Sequence, residues 1–237
     1  DPLPKPILND GPEVSYVPFR NTLAVITDQG VKEVSYKEFE DFCIWRDQII
    51  DRDYNGIVPY DDAHFVRFLR NVTKNDDARF KSFVSALGYL LHNHSKPSLG
   101  QAIIFYDEKI TDPDSPEGGT GKGLIANAIR TIRKVVKIDG KRMNPSGRFA
   151  FQLVSPSTQI IWIDDVTGKF DFSSLFSLLT DGLTVEKKNQ NSFLIPPEQS
   201  PKILICSNVI LDSGGSSNKR RQFILELGDY YSSRIKE

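Results

Sequence analysis

The sequence predicts an α/β fold with a mainly parallel five-stranded sheet, preceded by a small β-hairpin and a helical region. Two observations carry that expectation. After residue 98, short apolar runs without polar alternation recur between helical or mixed stretches, the pattern of strands buried on both faces. Before it, apolar residues return at three- and four-residue spacing instead.

In chain order, the opening DPLPKPILNDGP carries four of the 14 prolines and reads as an extended lead-in. TLAVIT (Thr22–Thr27) and VKEVSY (Val31–Tyr36) flank Asp28-Gln29-Gly30, a short-loop hairpin signal. Three helical faces follow: Phe39, Phe42, Cys43 and Ile49; then Phe65, Phe68 and Leu69; then Phe80 to Leu91 at i, i+3, i+4, i+7 spacing. These phenylalanine-rich stripes are read as core. Beyond Lys96-Pro97-Ser98 come five strand-type runs: QAIIFYDE (Gln101–Glu108), FAFQLV (Phe149–Val154), QIIWID (Gln159–Asp164), KILICS (Lys202–Ser207) and QFILEL (Gln222–Leu227). An amphipathic stretch, Lys122–Lys137, lies between the first two. The expected division is residues 1–97 as a hairpin and helical domain, and 98–237 as the functional core.

Composition narrows the function. The 237 residues carry 30 Lys+Arg against 31 Asp+Glu, so a uniformly basic nucleic-acid coat is excluded while a local basic patch is not. No apolar run approaches the ~18–20 residues of a membrane span, and the chain is expected in the cytoplasm. Two cysteines and three histidines support neither a disulfide framework nor a four-ligand zinc site. The chain opens at Asp1 without Met and reads as a fragment. His92-Asn93-His94 closes a predicted helix and lacks the ββα setting of a nuclease.

The chemistry concentrates in three places. The first strand leads into PEGGTGKG (Pro116–Gly123) and then a helix, the context of a phosphate-binding loop. Gly118, Gly119 and Gly121 would let backbone N–H groups converge on phosphate, the helix adds its positive end, and Lys122 reaches the β- and γ-phosphate oxygens. Glu117, Thr120 and Leu124 complete the candidate loop. Two positions depart from G-x-x-x-x-G-K-[ST]: Pro116 replaces the first glycine, and Gly123 replaces the hydroxyl residue that ligates Mg²⁺. Thr120, or water, is the candidate substitute. The alternative is a flexible glycine loop with a chance lysine.

Second, Asp164-Asp165 ends a buried strand, where adjacent carboxylates need a facing cation. In a nucleotide site that cation is Mg²⁺, held by Asp164 through water, with Asp165 orienting or deprotonating the attacking water. The alternative is a solvated turn. Third, Ser207-Asn208 ends another strand, and its amide can hydrogen-bond the γ-phosphate or the water; otherwise it is a turn residue. Two basic features complete the set. DGLTVEKKNQNSFLIPP (Asp181–Pro197) reads as two short β segments whose polar tip, with Lys187, Lys188 and Asn189, either grips nucleic-acid phosphates or is merely solvated. Arg220 or Arg221, before the last strand, could reach a neighbouring subunit's nucleotide as an arginine finger.

In this order, EGGTGKG, IIWIDDVTGKF, DGLTVEKKNQNSFLIPP and SPKILICSN resemble the motifs of superfamily 3 helicases, AAA+-related motors of small DNA viruses, phages and mobile elements. The phenylalanine-rich helices and GYLLHNHSKP resemble the region before the motor in phage-type primase-helicases. The resemblance covers about 100–230 well and 35–97 loosely. It implies a P-loop AAA+-like core, ATP and Mg²⁺ as cofactors, and a ring, usually a hexamer, around single-stranded DNA. It also implies a primase region upstream and a bacterial host cell. It maps Lys122 to the phosphate lysine, Asp164 and Asp165 to the metal and water-activating acids, Asn208 to the sensor, Lys187 and Lys188 to the DNA-facing hairpin, and Arg220 or Arg221 to the finger. The chain stops soon after its last strand, so a C-terminal lid is expected to be absent. Two rivals stand beside the motor: a replication-initiator or assembly module that binds nucleotide without strong hydrolysis, and a small-molecule P-loop kinase.

Overall fold

The computed structural model describes residues 5–56, 58–109, 119–211 and 214–231. The hairpin prediction holds and gains a strand. β1 (Ser15–Pro18), β2 (Leu23–Thr27) and β3 (Gly30–Val34) form a three-stranded antiparallel sheet, with Gly30 at φ +114° closing the β2–β3 turn.

The first of the three expected helices does not form. Residues 36–48 hold only two short 3₁₀ turns, Tyr36–Phe39 and Arg46–Gln48, and Phe42 and Ile49 stay exposed. The backbone there is committed elsewhere: the Cys43 N–H donates to Pro6 O and Cys43 O accepts from Leu8 N–H, both at 2.8 Å. The other two helices are α1 (His64–Val72) and α2 (Asp77–Leu91). Asp76 starts α2 by accepting the Arg79 N–H at 2.8 Å, satisfying a donor the helix itself cannot.

The core sheet contains β4 (Ala102–Asp107), β5 (Val135–Asp139), β6 (Ile160–Val166), β9 (Lys202–Ser207) and β10 (Gln222–Leu227) in the order β10-β4-β9-β6-β5, every neighbouring pair parallel. Four of these strands were expected. The fifth was not: Phe149–Val154 lies in turns, between Pro145-Ser146-Gly147 and Pro156, and β5 comes from the stretch expected to continue the helix to Lys137. Helix α3 (Lys122–Arg130) stops at Thr131, and the β-branched Val135, Val136 and Ile138 then lie in the sheet, where branched side chains pack without losing rotamer freedom. On one face, Ile103, Phe105, Trp162 and Cys206 pack under α1, α2 and α3. On the other, Ile104, Tyr106, Ile161, Ile163 and Ile205 pack under α4 (Phe176–Thr180) and the hairpin β7 (Leu183–Val185)–β8 (Phe193–Ile195). α1 and α2 therefore share one core with the sheet. A further helix, α5 (Gly215–Arg221), precedes β10. Among the described residues no helix is long and apolar enough to cross a membrane.

A buried lysine gives this core a pH signature. Lys202, at the start of β9, donates from Nζ to His94 O at 3.0 Å and lies 4.2 Å from the Tyr89 ring centroid. Burial pushes its ammonium down from 10.5 to about 8, against a smaller upward pull from Asp10. Below that value both folded and unfolded chains carry the proton, and the folded one bears the cost of the buried charge. From about 8 to 10.5 only the unfolded chain keeps it, so this group's contribution to stability rises with pH. Lys202→Met is expected to abolish a gain of about 3 kcal/mol across that window, measured by urea denaturation at stepped pH. An unchanged pH slope would refute it.

Candidate functional site

Parallel strands end on the same side, so the C-terminal ends of β4, β6 and β9 gather three of the predicted features. Of the candidate loop, Glu117 and Gly118 lie outside the described residues, as does Pro116. Gly119 and Gly121 both sit at φ +109°, a left-handed conformation suited to glycine. A Cβ at Gly121 would meet the Phe68 ring at 2.5 Å, so α1 is seated directly on the loop. Gly121 also caps α3, which starts with Lys122 and Gly123. Leu124, in the first turn, is exposed.

Asp107 is the residue that the motif search missed. At the end of β4, its carboxylate accepts from the Thr120 hydroxyl through one oxygen and pairs with Lys122 Nζ through the other, all three groups being largely buried. Thr120, the suggested substitute for the missing hydroxyl, thus spends its proton on Asp107. An acid at a strand end upstream of the glycines is a signal, but the motif assigns it no role.

The acid pair is split by a bulge. Asp164 follows the β6 alternation onto the face carrying Trp162. Asp165 breaks the register with β9 and adopts φ +58°. Asn208 Nδ2 donates to Asp165 Oδ1 at 3.1 Å, joining two features that lie 43 residues apart. Each acid also has its own lysine, unforeseen in sequence: Lys137 Nζ lies 2.7 Å from Asp164 Oδ2 and Lys141 Nζ 2.6 Å from Asp165 Oδ2. The Asp165 carboxylate holds the Lys141 ammonium above its usual range. Gly140 N–H donates to Asp164 O at 2.6 Å, and a Cβ there would strike Val166 at 2.5 Å, so the β5 end is fitted closely to the acids. Beneath them, burial pushes the Cys206 thiol up to about 12, reinforced by Asp164 and opposed by Lys122 and Lys137. That thiol stays neutral and unreactive. Cys206 stands in register with Phe105 of β4 and with Asp164 of β6, so the Lys122–Asp107 and Lys137–Asp164 pairs lie along one stretch of the sheet edge.

The other candidates lie apart from this cluster. Lys187 and Lys188 occupy the β7–β8 tip with Asn189 at φ +58°. Lys187 Nζ is 5.6 Å from the Phe193 ring centroid and Lys188 Nζ 6.0 Å from that of Phe149, while Glu186 pairs with Arg148. Arg220 and Arg221 end α5, just before β10 enters the sheet at the level of Ala102. That is the N-terminal edge, opposite the glycine loop; Arg221 covers the Phe176 ring at 4.4 Å, and Arg220 O accepts from Gln101 Nε2 at 3.0 Å.

Among the described residues no three acidic, His or Cys side chains form a ready cage. Mg²⁺ at phosphate sites needs only one or two carboxylates besides phosphate and water, and Asp164, 28% exposed in its side chain, fits that requirement.

No family model matches the chain, and no curated protein matches its sequence. Among solved structures it is similar to the apo A form of the NrS-1 C-terminal region, with a TM-score of 0.52 at 14% identity over 94% of this chain and 63% of that one. JCV helicase, solved with a thiazolopyridine-phenoxyphenyl acetamide ligand, aligns over 70% of this chain and 46% of that one at 11% identity and a TM-score of 0.45. The likeness to the NrS-1 region is one of fold, and this chain spans 63% of its length.

Proposed function

We propose that this chain is the core of an ATP-driven DNA helicase that works on single-stranded DNA as a ring, a hexamer by the resemblance of its motifs. The observation that carries the reading is the gathering of Lys122, Asp164 and the Asn208–Asp165 pair at the C-terminal ends of the adjacent strands β4, β9 and β6. In this reading Lys122 leaves Asp107 for the β- and γ-phosphates, and the loop N–H groups and the α3 terminus bind the remaining oxygens. Asp165, oriented by Asn208 and Lys141, accepts the proton of the attacking water. Asp164 would hold Mg²⁺, which supplies charge neutralisation to the phosphates when bound. Arg220 and Arg221, on the opposite edge, cannot serve their own chain's site; in a ring, that edge can face a neighbour's nucleotide.

The hairpin supplies the DNA contact, cations beside the aromatic rings of Phe149 and Phe193. The test is ATP turnover with and without single-stranded DNA, alongside a native mass measurement. DNA-stimulated turnover by an oligomer is expected; turnover by a monomer indifferent to DNA would favour a kinase. Lys187→Ala with Lys188→Ala should weaken DNA binding and reduce the salt slope by about 1–2. An unchanged slope would remove the hairpin from the mechanism. Two observations favour the second reading, a nucleotide-dependent assembly module: position 123 lacks the metal-binding hydroxyl, and both acids are already paired with lysines.

A further inference from the structure

Three acids and three lysines meet at the sheet edge, one lysine on each acid: Lys122 on Asp107, Lys137 on Asp164, Lys141 on Asp165. They are not equivalent. Lys141 lies in the turn after β5 and serves the bulged Asp165. Lys137 is built into β5, in register with Trp162, and its ammonium lies 4.3 Å from the Trp162 ring centroid. A strand position and a cation–π contact therefore fix it beside Asp164 before any ligand arrives. Phe105, Cys206 and Asp164 stand side by side across β4, β9 and β6, so the edge that holds Lys122 on Asp107 also holds Lys137 on Asp164. The sequence meanwhile has lost a metal-holding group: Gly123 has no hydroxyl, and the Thr120 hydroxyl donates to Asp107.

We propose that Lys137 is a second phosphate-binding cation of this site, resting on Asp164 and moving to the nucleotide's phosphates, so that ATP binding tolerates the absence of Mg²⁺. This rests on the nucleotide reading above and deepens it. A triphosphate brings several negative charges into an edge whose lysines are otherwise neutralised by carboxylates. Transfer of Lys137 to phosphate supplies charge where the lost hydroxyl weakens metal binding. It also frees Asp164, so Lys137 and a divalent ion compete for the same carboxylate oxygen.

The experiment measures ATP affinity by calorimetry in excess Mg²⁺ and in excess EDTA, for the whole chain and for Lys137→Met, with Lys137→Arg as the charge-retaining control. The original chain should bind in EDTA within about tenfold of its Mg²⁺ affinity. Lys137→Met should lose about ten- to a hundredfold in EDTA and much less in Mg²⁺, and Lys137→Arg should recover most of the loss. Mn²⁺ binding without nucleotide, followed by electron paramagnetic resonance, should tighten in Lys137→Met because its competitor has gone. A chain that binds ATP only with Mg²⁺, with Lys137→Met behaving identically, overturns the inference while leaving the nucleotide reading standing. Failure to bind ATP in either condition overturns both.

Discussion

Lys122→Ala is expected to cut ATP turnover by ~10²–10³-fold, the usual effect of removing one preorganised charge from a phosphoryl-transfer site. DNA binding through the distant hairpin should survive. The variant needs a companion because of where Lys122 rests. Its side chain is 11% exposed and that of Asp107 only 6%, so deleting the lysine leaves a buried carboxylate with Thr120 as its one remaining side-chain donor among the described residues. Breaking one half of such a pair destabilises a fold on its own account. Lys122→Ala combined with Asp107→Asn removes that stranded charge. If the double variant is as stable as the original chain and still inactive, the loss belongs to phosphate binding. If turnover returns in the double variant, Lys122 was only neutralising Asp107. Under the assembly reading, the variants should instead fail to form oligomers on adding nucleotide.

Asp10→Ala is expected to cost about 3–5 kcal/mol, the range for leaving one member of a buried ion pair uncompensated. Arg133, just after α3, is almost wholly enclosed. Its guanidinium reaches Asp10 Oδ2 at 3.2 Å, Ser15 Oγ and Leu91 O at 2.6 Å, and Tyr16 O at 2.8 Å. Asp10 in turn accepts from the N–H groups of Tyr16 and Asn93 at 2.8 and 2.7 Å. This cluster ties the N-terminal sheet to the end of α2 and the α3–β5 connection. Burial already pulls the Arg133 guanidinium below its usual range, and Asp10 is what opposes the shift. Small domains are stable by only about 5–15 kcal/mol, so the loss should be plain in a guanidinium melt. A change below 1 kcal/mol would mean the sheet docks by its apolar contacts alone, through Val17, Phe19 and Ala24.

The sequence errors share a cause. Residues 39–49 have helical spacing, yet Cys43 gives its backbone bonds to Pro6 and Leu8, partners more than 30 residues away that no local window contains. Phe149–Val154 is apolar enough for a strand, but β5 already forms the edge beside β6, and Val154 is buried on the sheet face under the hairpin instead. Asp107, Lys137 and Lys141 went unnoticed because a lone acid or lysine carries no spacing signal; only the folded arrangement of strand, turn and helix sets them beside Lys122, Asp164 and Asp165.

By itself, the sequence determined the α/β class, four of the five core strands, the glycine-loop-to-helix junction and the strand-terminal acids, because apolar runs, turn residues and glycine's backbone freedom are local properties. The tertiary structure alone decided which charges face which, that Asn208 reaches Asp165, and that Arg220 and Arg221 stand on the far edge. The reason is physical: electrostatic partnership depends on distances of a few ångströms through space, and a parallel sheet brings together residues that the chain keeps tens of positions apart.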